Sequence, residues 1–360
     1  MIAELIVIIV ILATAVFAYL KGSVVKSSLL FINAIISSTI AFSFFETAGK
    51  IIIGYGYGGQ WVLGGCFAAI FIFLIVLLNA LTNKLAPAGI HFSELNDKIA
   101  RSVIAVFAGL IIAGVILITA ALLPLGTSWP YERFDPQNKK LRPAEPDKGL
   151  ILRADGFTAA LASWFSRGSL CSSKSFAVFH PNFLNEIFLN RIRQDENNWI
   201  IAGSEAVDVK DAWEPNSTTK LVSATDSQPL GAIPGTKTVI VRTGLKGGSI
   251  TRGGAMTEDN KLTFTLAQIR LLCKADRSTL TGSSQVAYPV GFIRSENIVD
   301  CKSLIEEIRL KTSDFTGGVK WFDFVFQIPA DTVPVLLEFK LNAAAEVGKL
   351  VSGSKIPSPL

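Results

Sequence analysis

Hydrophobic and polar positions divide the chain near residue 125. Residues 102–124, SVIAVFAGLIIAGVILITAALLP, carry no charge, which is enough helix to cross a hydrocarbon core about 30 Å thick. Their strongly apolar side chains, from Val103 to Leu123, each favour insertion by roughly 0.3–0.6 kcal/mol and together by about −4 to −8 kcal/mol. Apolar runs of similar length occupy residues 2–20, 28–45 and 61–82, so the pattern predicts four transmembrane helices. A cleaved signal peptide is the competing reading of the first run. Glu4 rather than a basic residue precedes its core, and Lys21-Gly22 follows it rather than a small-residue cleavage site, which favours a retained helix.

Beyond the last apolar run the period changes. Residues 126–148 hold Pro130, Pro136, Pro143 and Pro146 among charges and read as a linker. A short helix is expected from Asp155, with Phe157, Leu161, Trp164 and Phe165 on one face, lying on the bilayer surface or packing against the next domain. A second is expected from about Pro181 to Arg193, and residues 203–235 give no element. In GVKWFDFVFQI, Phe322, Phe324, Phe326 and Ile328 alternate with Trp321, Asp323, Val325 and Gln327; in VLLEFKL, Val335, Leu337, Phe339 and Leu341 alternate with their neighbours. Such alternation predicts half-buried strands, here joined as a hairpin across IPADTVP. KLTFTLAQIRLLC reads as one strand with a β-bulge near Ala267–Gln268, and residues 238–242 and 286–293 as two more. The expected organisation is a four-helix membrane domain (1–125), a linker (126–148), a mixed helical and irregular region (149–235), a β-sandwich (236–345) and a tail (346–360). The fold class is thus membrane α-helical plus a soluble α+β or all-β region, with a sandwich of the immunoglobulin-like kind.

Charge adds an orientation. Residues 1–125 hold six Lys/Arg and four acids, against twenty-eight and twenty-five in the remainder. The short loops after the first and third spans carry Lys21, Lys26, Lys84, Lys98 and Arg101, and the loop between the second and third carries Lys50 alone. The excess of positive charge puts the first and third loops in the cytoplasm and both termini outside. Arg133, Lys139, Lys140 and Arg142 follow the fourth span and pull the other way, but long translocated regions largely escape the rule. Tyr55, Tyr57, Trp61, Trp129 and Tyr131 are expected as an interfacial aromatic belt. Mean hydropathy is +0.44 and net charge +5. No concentrated basic face suggests nucleic acid. Small residues recur four apart at Thr14/Ala18, Ala34/Ser38, Gly65/Ala69 and Gly109/Ala113, as in packed membrane bundles or oligomers.

The acidic residue Glu4, the turn Tyr19-Leu20-Lys21-Gly22 and the lead Leu95-Asn96-Asp97-Lys98-Ile99-Ala100-Arg101 into a glycine-containing helix resemble the colicin V production protein family (CvpA) over residues 1–125. The resemblance implies a bacterial inner-membrane protein connected with colicin V production, toxin export or envelope maintenance. Ala108-Gly109 stands where that family often has Arg-Gly, and Ala18 where it has a second glycine. The end of the chain resembles extracytoplasmic immunoglobulin-like envelope domains.

Motifs for chemistry are sparse. Cys66, Cys171, Cys273 and Cys301 have no C-x-x-C spacing, and His91 and His180 add no ligand pattern, so no metal or cofactor site is expected. Cys273 and Cys301 could pair in an oxidising compartment. Some relatives with such a membrane module carry a trypsin-like protease. Here His180 has no Gly-x-Ser-Gly-Gly partner stretch, and Ser249 in GLKGGSITRGG reads as a loop residue. No catalytic residues are assigned. Asn33 and Asn79 stand deepest in the spans, as an interhelical hydrogen bond or a solvated path. Two functions follow: a non-enzymatic envelope protein anchoring an outer β-domain for a protein partner, or an oligomeric channel or transport component for small solutes. Lipid bilayer, an envelope protein or a second copy are the expected partners, with no nucleic acid.

Overall fold

The computed structural model describes residues 2–85, 94–167, 175–193, 198–216, 220–231, 233–257, 259–277 and 284–353. His91, Cys171 and the end of the tail lie outside them.

Four helices, α1 (Ile2–Lys21), α2 (Val24–Gly54), α3 (Val62–Leu85) and α4 (Glu94–Leu122), are each long and apolar enough to cross a membrane. They form the multi-pass part of the protein. α2 outruns its expected end at residue 45 by nine residues, because nothing between Glu46 and Gly54 breaks a helix until Gly56 turns the chain at φ 81°. At 31 residues it is about 46 Å long, well beyond a bilayer core. Arg101 closes one end of the bundle: its guanidinium donates to the carbonyls of Gly22 and Tyr19 and pairs with Asp97 at 3.3 Å. These are orphan acceptors at the C-terminus of α1. The two motifs that carry the family resemblance therefore meet in space. The Asn33 amide donates to Asn79 at 2.8 Å and to Thr82 at 3.1 Å, tying α2 to α3 near the same end. Gly109 lets α4 approach Thr14 and the backbone of Ile11, whereas Gly65 and Ala69 face away from the chain. One expected small-residue pair thus packs helices and another does not.

Residues 126–153 contain no helix or strand, yet Phe134, Leu141 and Leu150 are buried, so the segment is fastened down rather than a free linker. Three helices follow: α5 (Ala154–Arg167), α6 (Phe176–Phe179) and α7 (Phe183–Asn190). α5 lies against the side of α4 through its small residues. A Cβ on Gly114 would overlap Thr158 Oγ1 and the Ala154 carbonyl oxygen, so only glycine permits this approach. α5 thereby buries Ala154, Thr158, Ala162 and Ser166 and leaves Trp164 68 % exposed. One core runs from Phe42, Phe45 and Phe67 of the bundle through Phe176, Phe183 and Ile187 to Ile201 and Leu341.

The rest is sheet-rich. Its strands are β1 (Val207–Pro215), β2 (Val222–Ser223), β3 (Thr236–Lys246), β4 (Lys261–Thr265), β5 (Ile269–Lys274), β6 (Gln285–Ala287), β7 (Pro289–Ser295), β8 (Ile298–Cys301), β9 (Glu307–Lys311), β10 (Val319–Pro329), β11 (Val333–Phe339), β12 (Ala343–Glu346) and β13 (Val351–Gly353), with helix α8 (Gly247–Arg252) after β3. A seven-stranded sheet of order β13-β1-β3-β10-β7-β8-β2 shares its core with a four-stranded sheet, β12-β11-β5-β6, and a ribbon, β4-β9. Strand pairs β1/β13 and β2/β8 are parallel, a departure from a purely antiparallel arrangement. β1 and β2 lie inside the stretch for which no element was expected.

Three sequence expectations need correcting. The expected hairpin is a crossover: β10 pairs with β3 and β7, while β11 pairs with β12 and β5 in the other sheet. Residues 261–273 are two strands in different sheets, not one bulged strand. Thr265 N–H donates to Gln268 Oε1 at 3.2 Å, and Gln268 Nε2 donates to the Asn190 carbonyl at 2.7 Å, which fixes the break at a tight turn. Residues 286–293 likewise divide between β6 and β7. Phe322, Phe324, Phe326 and Ile328 are core residues, as the alternation implies. Their alternate face is buried too, with Val325 in a second cluster beside Trp213 and Ile240. There Asp323 accepts from Arg242 through two nitrogens at 2.7 Å, and the guanidinium lies over the Trp213 ring.

Candidate functional site: a buried charged latch and the clefts beside it

The end of α6 is fixed by His180-Pro181: proline cannot continue the helix, and the chain turns directly into α7. That turn aims the His180 ring back toward the bundle. Its Nε2 lies 2.8 Å from Glu46 Oε1 on α2, and its Nδ1 lies 2.8 Å from Glu186 Oε2 on α7. Phe176 and Phe183 flank the ring at centroid distances of 5.2 and 5.5 Å. Arg270 on β5 continues the network: it stands 2.8 Å from Glu186 Oε2, donates at 2.8 Å to the Phe179 carbonyl, and pairs with Glu338. Glu338 faces Arg270 across the β11/β5 ladder. Membrane helix, connecting helices and sheet therefore meet in one chain of charges, buried except at half-buried Glu46.

Burial pulls the His180 pKa down, but the Glu46 charge and the hydrogen bonds that the ring donates to Glu186 and Glu46 outweigh it and carry it to about 9. The ring is an imidazolium at neutral pH, with both N–H groups directed at carboxylates. Arg270 Nη2, 3.0 Å from Nδ1, then makes a like-charge contact rather than a hydrogen bond. Burial works against the Arg270 charge, yet Glu186 and Glu338 hold its pKa above the ordinary value. Burial raises the Glu338 carboxyl against the pull of Arg270. Nearby Lys340, at φ 46°, directs Nζ at Asn198 Oδ1, Thr263 O and Gln268 Oε1, each at 3.2 Å, and at Trp199 O. Burial puts its pKa well below the usual lysine value.

Chemically this is a latch rather than a reacting centre. A general base needs an open lone pair within reach of a substrate proton, and His180 has none while both carboxylates hold it. A second fastening lies across the bundle mouth. Gln60, in the α2–α3 connection, accepts from Ile200 N at 2.9 Å and Ile201 N at 2.8 Å, and donates to Ile201 O at 2.8 Å and Gly253 O at 2.9 Å. Both ends of its amide are used.

Two clefts flank α5. One, of about 420 Å³, has Arg133, Trp164, Arg167, Phe176, His180 and Phe183 in its wall. The other, of about 630 Å³, lies between Leu110 of α4 and Arg133, Lys148, Leu152, Arg153 and Phe157. Arg133 donates to Asn185 Oδ1 at 2.8 Å and to the Tyr131 hydroxyl at 3.1 Å.

Other residues singled out in the sequence fall elsewhere. Asn33 and Asn79 meet each other, which is the interhelical reading. Ser249 lies on α8, with its carbonyl accepting from Gly203 N at 3.1 Å. Cys273 and Cys301 are free thiols on different sheets, so that pairing is corrected. Burial lifts the Cys273 thiol to about 12, which leaves it unreactive. Tyr131 is not a belt residue: its ring packs tilted against Phe188 at 4.8 Å and its hydroxyl donates to Asp155, while Tyr55, Tyr57 and Trp61 are exposed. Glu46, Glu186, Arg270 and Glu338 carried no sequence motif. The one visible signal was Glu46, a lone carboxylate directly after an uncharged span.

Comparison with protein-family models, with curated proteins and with solved structures found no match to this chain.

Proposed function

We propose that the chain is a non-enzymatic, multi-pass protein of the bacterial inner membrane, related to the colicin V production family, that holds a β-domain rigidly on the extracytoplasmic side. There it serves envelope maintenance or toxin export by engaging a protein partner. The observation that carries this reading is the continuous join between bundle and domain: one core, the Glu46–His180–Glu186 latch and the Gln60 clamp. A flexible tether would suit a domain that searches; a join of this kind suits one that must keep its orientation to the membrane.

Orientation is supported by the charges. Lys21, Lys26, Lys84, Lys98 and Arg101 gather at the end of the bundle away from the β-domain, the side that stays in the cytoplasm by the positive-inside tendency. Within this reading the domain is an immunoglobulin-like sandwich, supported by two sheets over a shared core. The channel alternative leaned on Asn33 and Asn79, whose amides bond each other and Thr82. Protease added to intact spheroplasts is expected to digest the region after Gly126. Digestion only after lysis reverses the orientation and removes the envelope reading.

A further inference from the structure

α5 packs beside the apolar part of α4. Thr158 Oγ1 reaches the Ile111 carbonyl at 3.5 Å. Ile111 stands eleven residues before the end of α4 at Leu122, about 16 Å of helix inside its mouth. The helix and the segment before it nevertheless turn large apolar side chains outward: Ile151 is 83 % exposed, Leu152 49 % and Trp164 68 %. Side chains of this size, exposed alongside a membrane helix, are what an interfacial helix presents to lipid.

Cations stand among them. Among the described residues, the cleft under Trp164 has Arg133, Arg167 and His180 in its wall and no carboxylate. His180 is already matched by Glu46 and Glu186. Arg133 and Arg167 are not: among the described residues Arg133 bonds only the neutral groups of Asn185 and Tyr131, and Arg167 has no ion-pair partner. On the other side of α5, Leu110 of the membrane helix lines a cleft together with Arg133, Lys148 and Arg153. Lys148 pairs with Glu132 there, and Asp147 and Asp155 also line the wall, so the charge excess lies on the Trp164 side. Arg153 holds a left-handed φ of 43° with its side chain exposed; such backbone strain in a non-glycine residue clusters at binding sites.

We infer that the cleft between α5 and α7 is a binding site for an anionic phospholipid, its phosphate held by Arg133 and Arg167 and its acyl chains lying along Trp164 and the bundle. Guanidinium recognises phosphate through a planar pair of N–H groups. The exposed apolar face supplies what a free anion would not use. The inference rests on the membrane-spanning bundle and is independent of the partner of the β-domain.

The test uses the full chain, purified in a neutral detergent and transferred to nanodiscs of phosphatidylcholine containing a minor fraction of phosphatidylglycerol. Native mass spectrometry counts the lipid retained. Phosphatidylglycerol is expected to be retained selectively, with apparent affinity falling about fivefold in Arg167→Gln and in Arg133→Gln, and more in the pair. Arg133→Gln also loses a structural bond to Asn185; if it fails to fold, Arg167→Gln, whose side chain is exposed, decides alone. Equal retention of both lipids, or unchanged selectivity in folded Arg167→Gln, overturns the site. Soluble glycerol phosphate, added at the same concentration as the lipid, is the second arm. Displacement of the lipid by it shows a site for free anions and refutes the phospholipid assignment.

Discussion

His180 spends its charge on position. A folded pKa near 9, against an ordinary 6.5, means that the folded state binds the proton more tightly than the unfolded chain. The resulting stabilisation is fully present below about pH 6.5 and is lost as pH rises through about 9, and such a shift is on the order of 3 kcal/mol. Thermal melts in detergent between pH 6 and 10 are expected to show a falling midpoint above pH 7. In His180→Gln that slope flattens and the midpoint at pH 6 drops, because half-buried Glu46 loses its cation and buried Glu186 is left with Arg270 alone. A wild-type midpoint that is flat across this range would mean that the ring is neutral and the latch uncharged. A different physics governs the strand β10. Phe324, fully buried between the sheets, touches Phe292 and stacks at 5.2 Å on Phe322. Phe324→Ala is expected to lower stability by about 3–5 kcal/mol; an unchanged midpoint would place the ring outside the core.

Among the elements, α5 shows how a small residue sets geometry. Of its expected apolar face Trp164 is exposed while Phe157, Leu161 and Phe165 are half-buried, and the fully buried side is alanine, threonine and serine. Close approach to Gly114 is what makes that side the buried one. Gly114→Val is expected to push α5 off α4 at a cost of about 1–3 kcal/mol, read as a lower melting midpoint. Gly65→Val, whose added Cβ meets nothing within 4 Å, is the control and is expected to leave the midpoint in place. Loss of stability in both would point to helix propensity rather than to the α4–α5 approach. The strands carry a similar lesson. Apolar alternation marked β10 and β11 correctly as strands, but not their partners, because both faces of each sheet are covered and a period of two says nothing about which sheet a strand joins.

For the whole molecule, the join between bundle and domain sets what can be separated. A fragment of residues 149–353 keeps the core beneath β10 but uncovers Phe176, Phe183 and Ile187, which otherwise pack on Phe42, Phe45 and Phe67. It is expected to need detergent to stay monomeric in size-exclusion chromatography, although the sequence read by itself suggested a freely soluble unit. A sharp monomer without detergent would show that the helices α5–α7 find another partner surface. By itself the sequence determined the four membrane helices, the charge asymmetry of their loops, the change to strands in the second half and the core role of Phe322, Phe324 and Phe326. All are local properties: an uncharged run of sufficient length or a two-residue period is written into neighbouring residues. Only the tertiary structure decided the latch, the Gln60 clamp, the crossover between sheets and the clefts beside α5. Glu46, His180, Glu186, Arg270 and Glu338 are scattered over nearly three hundred positions of the chain, and no periodicity links them. Their charges acquire meaning only where the fold brings them within reach of one another and away from most of the solvent.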